Sequence, residues 1–324
     1  GHPASGPAGE ALATDALLLG SNRDNLLVMT SGTHGVELLC GSGCQTGQLE
    51  TGRFDSILDR CSVLLLHALN PWGAAHRRRN TEDNVDLCRN FMDFTKPLPT
   101  NPAYEGLHET ISQASVAEVE QLIADGFAQH GTRDFMNALM SGQYAYADGF
   151  SFGGQAPTWS NLTVSSLLAH FGDGFERVCI VDYHSGVGPY GYGSIVCLQE
   201  GDALAKTQRI FGDWVIAPRE KTTGGPSNFY TVFGHAADGY LAALPNVDLS
   251  TVVLEYGTYS SEENLQAMIS EHVARFGRDS NPANIEEQGA VVEALHHPAD
   301  PEWRRAIWDR ADHVIDQAIA GFDL

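Results

Sequence analysis

Residues 26–45, LLVMTSGTHGVELLCGSGCQ, hold an apolar run that stops at Ser31 and gives way at once to His34 and Glu37, set among glycines. A short run that is apolar on both faces reads as a central strand covered by helices on each side. The polar residues after it admit two explanations: a turn that closes the strand, or two thirds of a metal site. A His-x-x-Glu pair is common, so the rest of the chain has to decide.

Working outward, further strand patterns fall at 62–68, 177–183, 194–198, 213–217 and 251–256. Helical patterns fall at 103–129, 131–141, 160–171, 202–211, 261–276 and 299–320. In the last of these, Trp303, Ile307, Trp308, Ala311, Val314, Ile315 and Ile319 recur at spacings of three and four. Alternation of this kind predicts an α/β fold, a three-layer α/β/α arrangement around a mixed, mostly parallel sheet. Segment 141–160, SGQYAYADGFSFGGQAPTWS, lacks regular pattern and reads as a long surface excursion, a candidate lid.

Composition narrows the function. The 324 residues carry a formal net charge of −22, with 43% apolar and 19% charged residues. Such acidity argues against nucleic acid or an anionic membrane as partner, since both call for a basic face. The one dense cationic run, His76-Arg77-Arg78-Arg79, suggests an anionic ligand or else a solvated basic turn. The six cysteines form no CxxC pair and read as reduced, which points to the cytoplasm. The longest apolar run, around VLLLHAL, is too short to span a bilayer.

Ligands of open α/β sheets bind beyond the carboxyl ends of strands. Three such ends here carry chemistry: Ser31 to Glu37, VCIVDYHSG ending near His184, and VVLEYGT with Glu255. Asp182 and His184 are two apart on one strand and share a face. Two histidines, a carboxylate and an open position suit catalytic zinc, and a separate carboxylate is needed as general base. Each residue alone has an ordinary structural explanation; their joint placement at three strand ends favours a site. Residues 186–191, Gly-Val-Gly-Pro-Tyr-Gly, satisfy GxGxxG, but Pro189 and the strand-like YGSIVCLQ that follows argue against a dinucleotide fold.

As a set, TSGTHGVE, Asn70-Pro71-Trp72-Gly73, Asn84-Val-Asp86-Leu-Cys88-Arg89-Asn90-Phe91, Asp182-Tyr-His184-Ser185 and Leu254-Glu255 resemble the zinc carboxypeptidase superfamily, and within it a bacterial branch of unknown function. The resemblance covers nearly the whole chain. It implies one catalytic domain over 1–324 and one zinc ion per chain, held by His34, Glu37 and His184, with Asp86 and Asp182 behind the histidines. It further implies Glu255 as general base and Arg78 or Arg79, with Arg78 preferred, as the arginine that polarises the scissile carbonyl. Arg89 and Asn90 would bind the substrate, Arg89 gripping a carboxylate bidentately. The implied activity is hydrolysis of an amide in a carboxylate-bearing substrate, either a peptide C-terminus or a small N-acyl amino acid as in aspartoacylase-like relatives. An inactive metal-binding protein of the same fold is the alternative. Two departures stand out: Cys88 occupies a family asparagine position, which tilts the substrate away from a standard peptide, and Leu38 replaces a glycine. The phenol that caps the family's pocket has Tyr230 or Tyr240 as its nearest candidates.

Overall fold

The computed structural model describes residues 1–220 and 232–323. Among these residues six strands form one sheet: β1 (Asp15–Leu19), β2 (Asn25–Ser31), β3 (Ser62–His67), β4 (Arg177–Gly186), β5 (Gly193–Val196) and β6 (Asp248–Gly257). Their order is β1-β3-β2-β4-β6-β5. The four central strands run parallel, and the edge strands β1 and β5 pair antiparallel.

Side chains of one strand alternate between two cores, as a doubly covered sheet requires. Leu27, Met29, Cys179 and Val181 pack with the helix Pro301–Gly321 on one face. Leu26, Val28, Val178 and Ile180 pack with the helices Trp159–Gly172 and Ala236–Ala243 on the other. This is the three-layer arrangement expected from the strand patterns. A third apolar cluster, around Tyr104, Phe135 and Leu265, joins the helices of 102–140 to Ser261–Phe276.

The differences from expectation are local. Residues 213–217 form no strand; Ile216 makes a single bridge to Val196. The pattern over 103–129 divides into the helices Pro102–Ser112 and Val119–His130, separated at a Ser115 capping box that starts a new helix. Helices Leu38–Glu50, Ala236–Ala243 and Pro282–His296 and strand β1 were not anticipated. The GxGxxG stretch leads, as read, into a strand rather than a helix.

Segment 141–160 is a packed wall rather than a surface excursion. Phe150, Ser151 and Phe152 are buried. The Asn84 amide donates to the carbonyls of Ala147 and Gly149, and the Asn90 amide to those of Gly153 and Ala156. The Phe152 carbonyl accepts from the Asp86 backbone N–H at 2.8 Å. A buried loop must satisfy its backbone polar groups, and here the two asparagines of the 84–90 stretch do much of that. All six cysteines are buried and unpaired. No described helix is long and apolar enough to cross a membrane.

Candidate metal centre

The site gathers on the sheet face that carries Thr30, Asp182, His184 and Glu255. Parallel register sets Thr30 beside Asp182 and His184 beside Glu255. After β2 the chain turns at Gly32, with φ 76°, a conformation glycine adopts at no steric cost. It then enters a 3₁₀ turn over Gly35–Glu37. Gly35 is required for a different reason: a Cβ there would lie 2.1 Å from the Gly73 carbonyl carbon. That close approach lets Gly35 N–H donate to the Arg79 carbonyl and Val36 N–H to the Arg78 carbonyl, at 3.2 and 3.0 Å. The ligand loop and the arginine loop are thereby stitched together.

His34, Glu37 and His184 come from distant parts of the chain and meet. His34 Nδ1 is 2.9 Å from Glu37 Oε1, and His184 Nδ1 is 3.0 Å from Glu37 Oε2. All three residues are buried, at 3%, 2% and 4% exposure. The far nitrogens face the two aspartates. His34 Nε2 is 3.0 Å from Asp86 Oδ1, and His184 Nε2 is 3.1 Å from Asp182 Oδ2. Asp182 is itself held by the hydroxyls of Thr30, Thr33 and Tyr240, which donate to it at 2.7, 2.8 and 3.0 Å. Asp86 Oδ1 also accepts from the Cys88 N–H at 2.9 Å. Carboxylates behind imidazoles fix ring orientation and raise ligand basicity, the arrangement metal sites use.

Charge in the cluster is unbalanced toward carboxylate. Burial opposes protonation of His34, as does Arg79, yet Glu37, Cys88 and Asp86 push its pKa up to about 10. His184 moves the same way: burial lowers it, and Asp182 and Glu37 outweigh that. Burial would raise Glu37 and Asp86; the surrounding cations hold both well below the usual carboxylate range. Protons on the imidazoles thus supply positive charge that the fixed side chains do not. His34 Nδ1, although close to Glu37, is not aligned for a hydrogen bond and stays unpaired in a buried setting. An orphaned imidazole nitrogen within reach of carboxylate and a second imidazole fits a divalent ion, and zinc accepts this donor set.

Cys88 belongs to the same neighbourhood. His34, Cys88 and His184 form a buried group whose ligand atoms all lie within 4.8 Å of one another and could hold a metal ion. Burial would raise the thiol, but the imidazoles of His235 and His34 hold it well below its usual value.

Glu255, partly buried, lies beside His184 on β6 and accepts the Val187 N–H at 3.0 Å. Burial first, and the negative charge of Glu37 second, raise its pKa to about 7. A carboxyl poised near neutrality suits proton transfer.

The two arginines diverge. Arg79 reaches the cluster: Nη1 donates to Glu37 Oε1 at 2.9 Å and Nε to Asp86 Oδ2 at 3.2 Å. Arg78 turns the other way, donating to Glu271 at 3.0 Å and to Asn84 Oδ1 at 3.1 Å. Arg89 is buried, with Nε and Nη2 donating to the Met140 carbonyl and Nη1 to the Cys88 carbonyl. Asn90 knits the 141–160 wall and accepts from the Thr158 N–H at 2.8 Å. Tyr240 is spent behind Asp182, and Tyr230 lies outside the described residues.

One residue escaped the sequence reading altogether. His296 ends the helix Pro282–His296, which packs on the 3₁₀ turn and on β4, and its carbonyl accepts from Ser185 Oγ at 2.8 Å. It lies in a stretch of weak helical periodicity far from the other motifs, which gave no signal.

The chain belongs to a family described as a protein of unknown function, DUF2817, whose profile spans residues 1–310. Among curated proteins none matches it. Solved structures similar to it include bovine thrombin-activatable fibrinolysis inhibitor in complex with tick carboxypeptidase inhibitor, at 14% identity and TM-score 0.39, covering 96% of this chain and 88% of that one. Murein-tripeptide amidase MpaA from Escherichia coli is similar at 14% identity and TM-score 0.34, covering 91% of each chain. Succinylglutamate desuccinylase from Chromobacterium violaceum is similar at 14% identity and TM-score 0.33, covering 91% and 72%. These are proteins of the kind the motifs pointed to; likenesses this distant carry nothing about activity.

Proposed function

We propose that this family member is a metal-dependent hydrolase, with zinc as its ion, that cleaves an amide bond in a small N-acyl amino acid or peptide-like substrate. One observation carries the reading: both oxygens of Glu37 face the Nδ1 atoms of His34 and His184, at 2.9 and 3.0 Å, while aspartates stand behind both rings. A bound zinc ion supplies a Lewis acid and lowers the pKa of its water toward neutrality.

The chain's own residues supply the rest. His34, Glu37 and His184 are the ligands, and Asp86 and Asp182 set the ring orientations. Glu255 takes a proton from the attacking water and passes it to the leaving nitrogen, which a carboxyl with a pKa of about 7 can do in both directions. Arg79 faces the substrate carbonyl oxygen and offsets the charge that develops there. Arg89, bonded to two backbone carbonyls, supports the Asp86 loop instead of gripping a substrate.

The test is metal analysis of the purified protein, followed by assay on a panel of N-acyl amino acids and short peptides with and without chelator. One zinc per chain and chelator-sensitive turnover support the reading. Bound metal without turnover on the panel makes the protein a binding protein of the same fold. No stoichiometric metal ends the proposal.

The buried His34–Cys88–His184 group favours a second ligand set, in which the thiolate replaces Glu37. Cobalt substitution separates the two. A thiolate-to-cobalt charge-transfer band that disappears in Cys88→Asn identifies sulfur ligation; its absence leaves Glu37 as the third ligand.

A further inference from the structure

An imidazole that the proposed chemistry does not use stands beside Glu255. His296 is 2% exposed, and its Nδ1 is 2.8 Å from the Val292 carbonyl oxygen. A carbonyl only accepts, so Nδ1 carries the proton and the neutral ring presents a bare Nε2. Burial holds the ring below the ordinary imidazole pKa, consistent with the neutral form.

That Nε2 looks across Gly186, two residues past His184 on β4. A Cβ built on Gly186 would lie 3.3 and 3.4 Å from His296 Nε2 and Cδ2, and 3.9 Å from Glu255 Oε1. Gly186 has φ 138°, so glycine is favoured on backbone grounds as well. Glycine leaves a narrow notch there, one that a single Cβ would already crowd, between an imidazole nitrogen and a carboxyl oxygen. The imidazole wall is an acceptor, and the carboxyl wall is one when Glu255 is ionised, the state in which it serves as base. A substrate carbonyl or carboxylate there would meet lone pairs, whereas an N–H would meet a partner.

We propose that this notch receives an N–H donor of the substrate, and that His296 Nε2 is its acceptor, making His296 a residue that selects nitrogen-bearing substrates. The inference rests on the hydrolase reading above. The donor comes from one of two nitrogens next to the scissile carbonyl: the leaving nitrogen itself, or an amino nitrogen on the acyl side.

The experiment compares wild type, His296→Phe and His296→Gln on matched compounds built from the best substrate of the panel: the amide, its ester counterpart, and its des-amino counterpart. In wild type, one replacement should lower kcat/KM by about tenfold or more, the scale of one hydrogen bond to a buried acceptor. His296→Phe should erase that discrimination by slowing the parent amide, and His296→Gln, which keeps an acceptor oxygen, should retain part of it. Loss against the ester assigns the leaving nitrogen; loss against the des-amino compound assigns the acyl side. Metal content and Tm of the variants confirm intact folding. Independently of turnover, ¹⁵N shifts of the His296 ring in the metal-loaded protein should show Nδ1 protonated and Nε2 bare at neutral pH. Equal discrimination in wild type and His296→Phe, or a protonated Nε2, overturns the inference while leaving the hydrolase standing. Failure of wild type to cleave any compound brings down the hydrolase reading and this inference with it.

Discussion

Arg78 and Arg79 are adjacent in sequence and end in two different kinds of buried charge cluster. Arg78 is 3% exposed and meets Glu271, which also accepts from Arg275, while Phe276 lies 5.7 Å from its guanidinium. One carboxylate faces two guanidiniums there, and burial, offset by those cations, leaves Glu271 below its usual pKa. Arg79 meets Glu37 and Asp86, and the same cluster holds Asp182 and Glu255. Carboxylates outnumber fixed cations around Arg79, and the histidines are driven toward protonation. Around Arg78 the single carboxylate is already met by two guanidiniums, so that cluster calls for no further cation. A cluster that leaves carboxylates in excess and an imidazole nitrogen unpaired asks for a cation from outside.

The largest effect expected of this contrast is on the Arg79 side. Glu255→Gln should reduce kcat by about 10³-fold, within the range of general acid–base catalysis, with zinc content unchanged. Loss of zinc in that variant would make Glu255 a ligand and break the assignment. Next, Arg79→Ala should lower kcat/KM by about 2.7–4 kcal/mol of transition-state stabilisation, the cost of one oxyanion donor. Arg78→Ala should act on stability and spare the rate. It leaves Glu271 with Arg275 alone, so stability should fall by about 3 kcal/mol, the lower end for a broken buried pair, while kcat is nearly kept. Equal effects of the two arginine variants on rate would erase the distinction.

The smallest effect is in pH dependence. The folded pKa of Glu255, about 7, exceeds its ordinary 4.5, so the neutral carboxyl is the form the fold prefers. Its contribution to stability is complete below about pH 4.5 and is lost as pH rises through about 7. In metal-free protein, Glu255→Gln should therefore flatten the decline in Tm between those values. Activity runs oppositely, because the base must be ionised: kcat/KM should rise with pH, with its acid limb at or below about 7, since a bound cation favours the carboxylate. An acid limb well above 7 would remove Glu255 from the role of base.

Much of this was legible in the chain. The central strands stand out because residues buried on both faces leave unbroken apolar runs, as in LLVMTS and RVCIVDY. Edge strand β1 was missed because DALLL is largely exposed, with Asp15, Ala16 and Leu17 open to solvent. Residues 213–217 misled for the opposite reason: β-prone residues there found a single bridge and no ladder. The helix Leu38–Glu50 was hidden by its glycines and by its weak amphipathicity; Gly41 is tolerated because a Cβ would lie 2.7 Å from the side chains of Ser31 and Tyr183.

The sequence by itself determined the strand ends and the residue types placed on them: His34, Glu37, Asp182, His184 and Glu255, each announced by a polar group interrupting or ending an apolar run where burial without a partner is costly. Only the tertiary structure decided which arginine reaches the cluster, that Cys88 and His296 stand beside it, and that 141–160 is a wall. Direction in the 75–90 loop depends on turns such as Arg77 at φ 50° and Asn84 at φ 61°, and the place of His296 depends on how a remote helix docks. Neither is a periodic property of the local chain; both arise from long-range packing, which sequence pattern does not report.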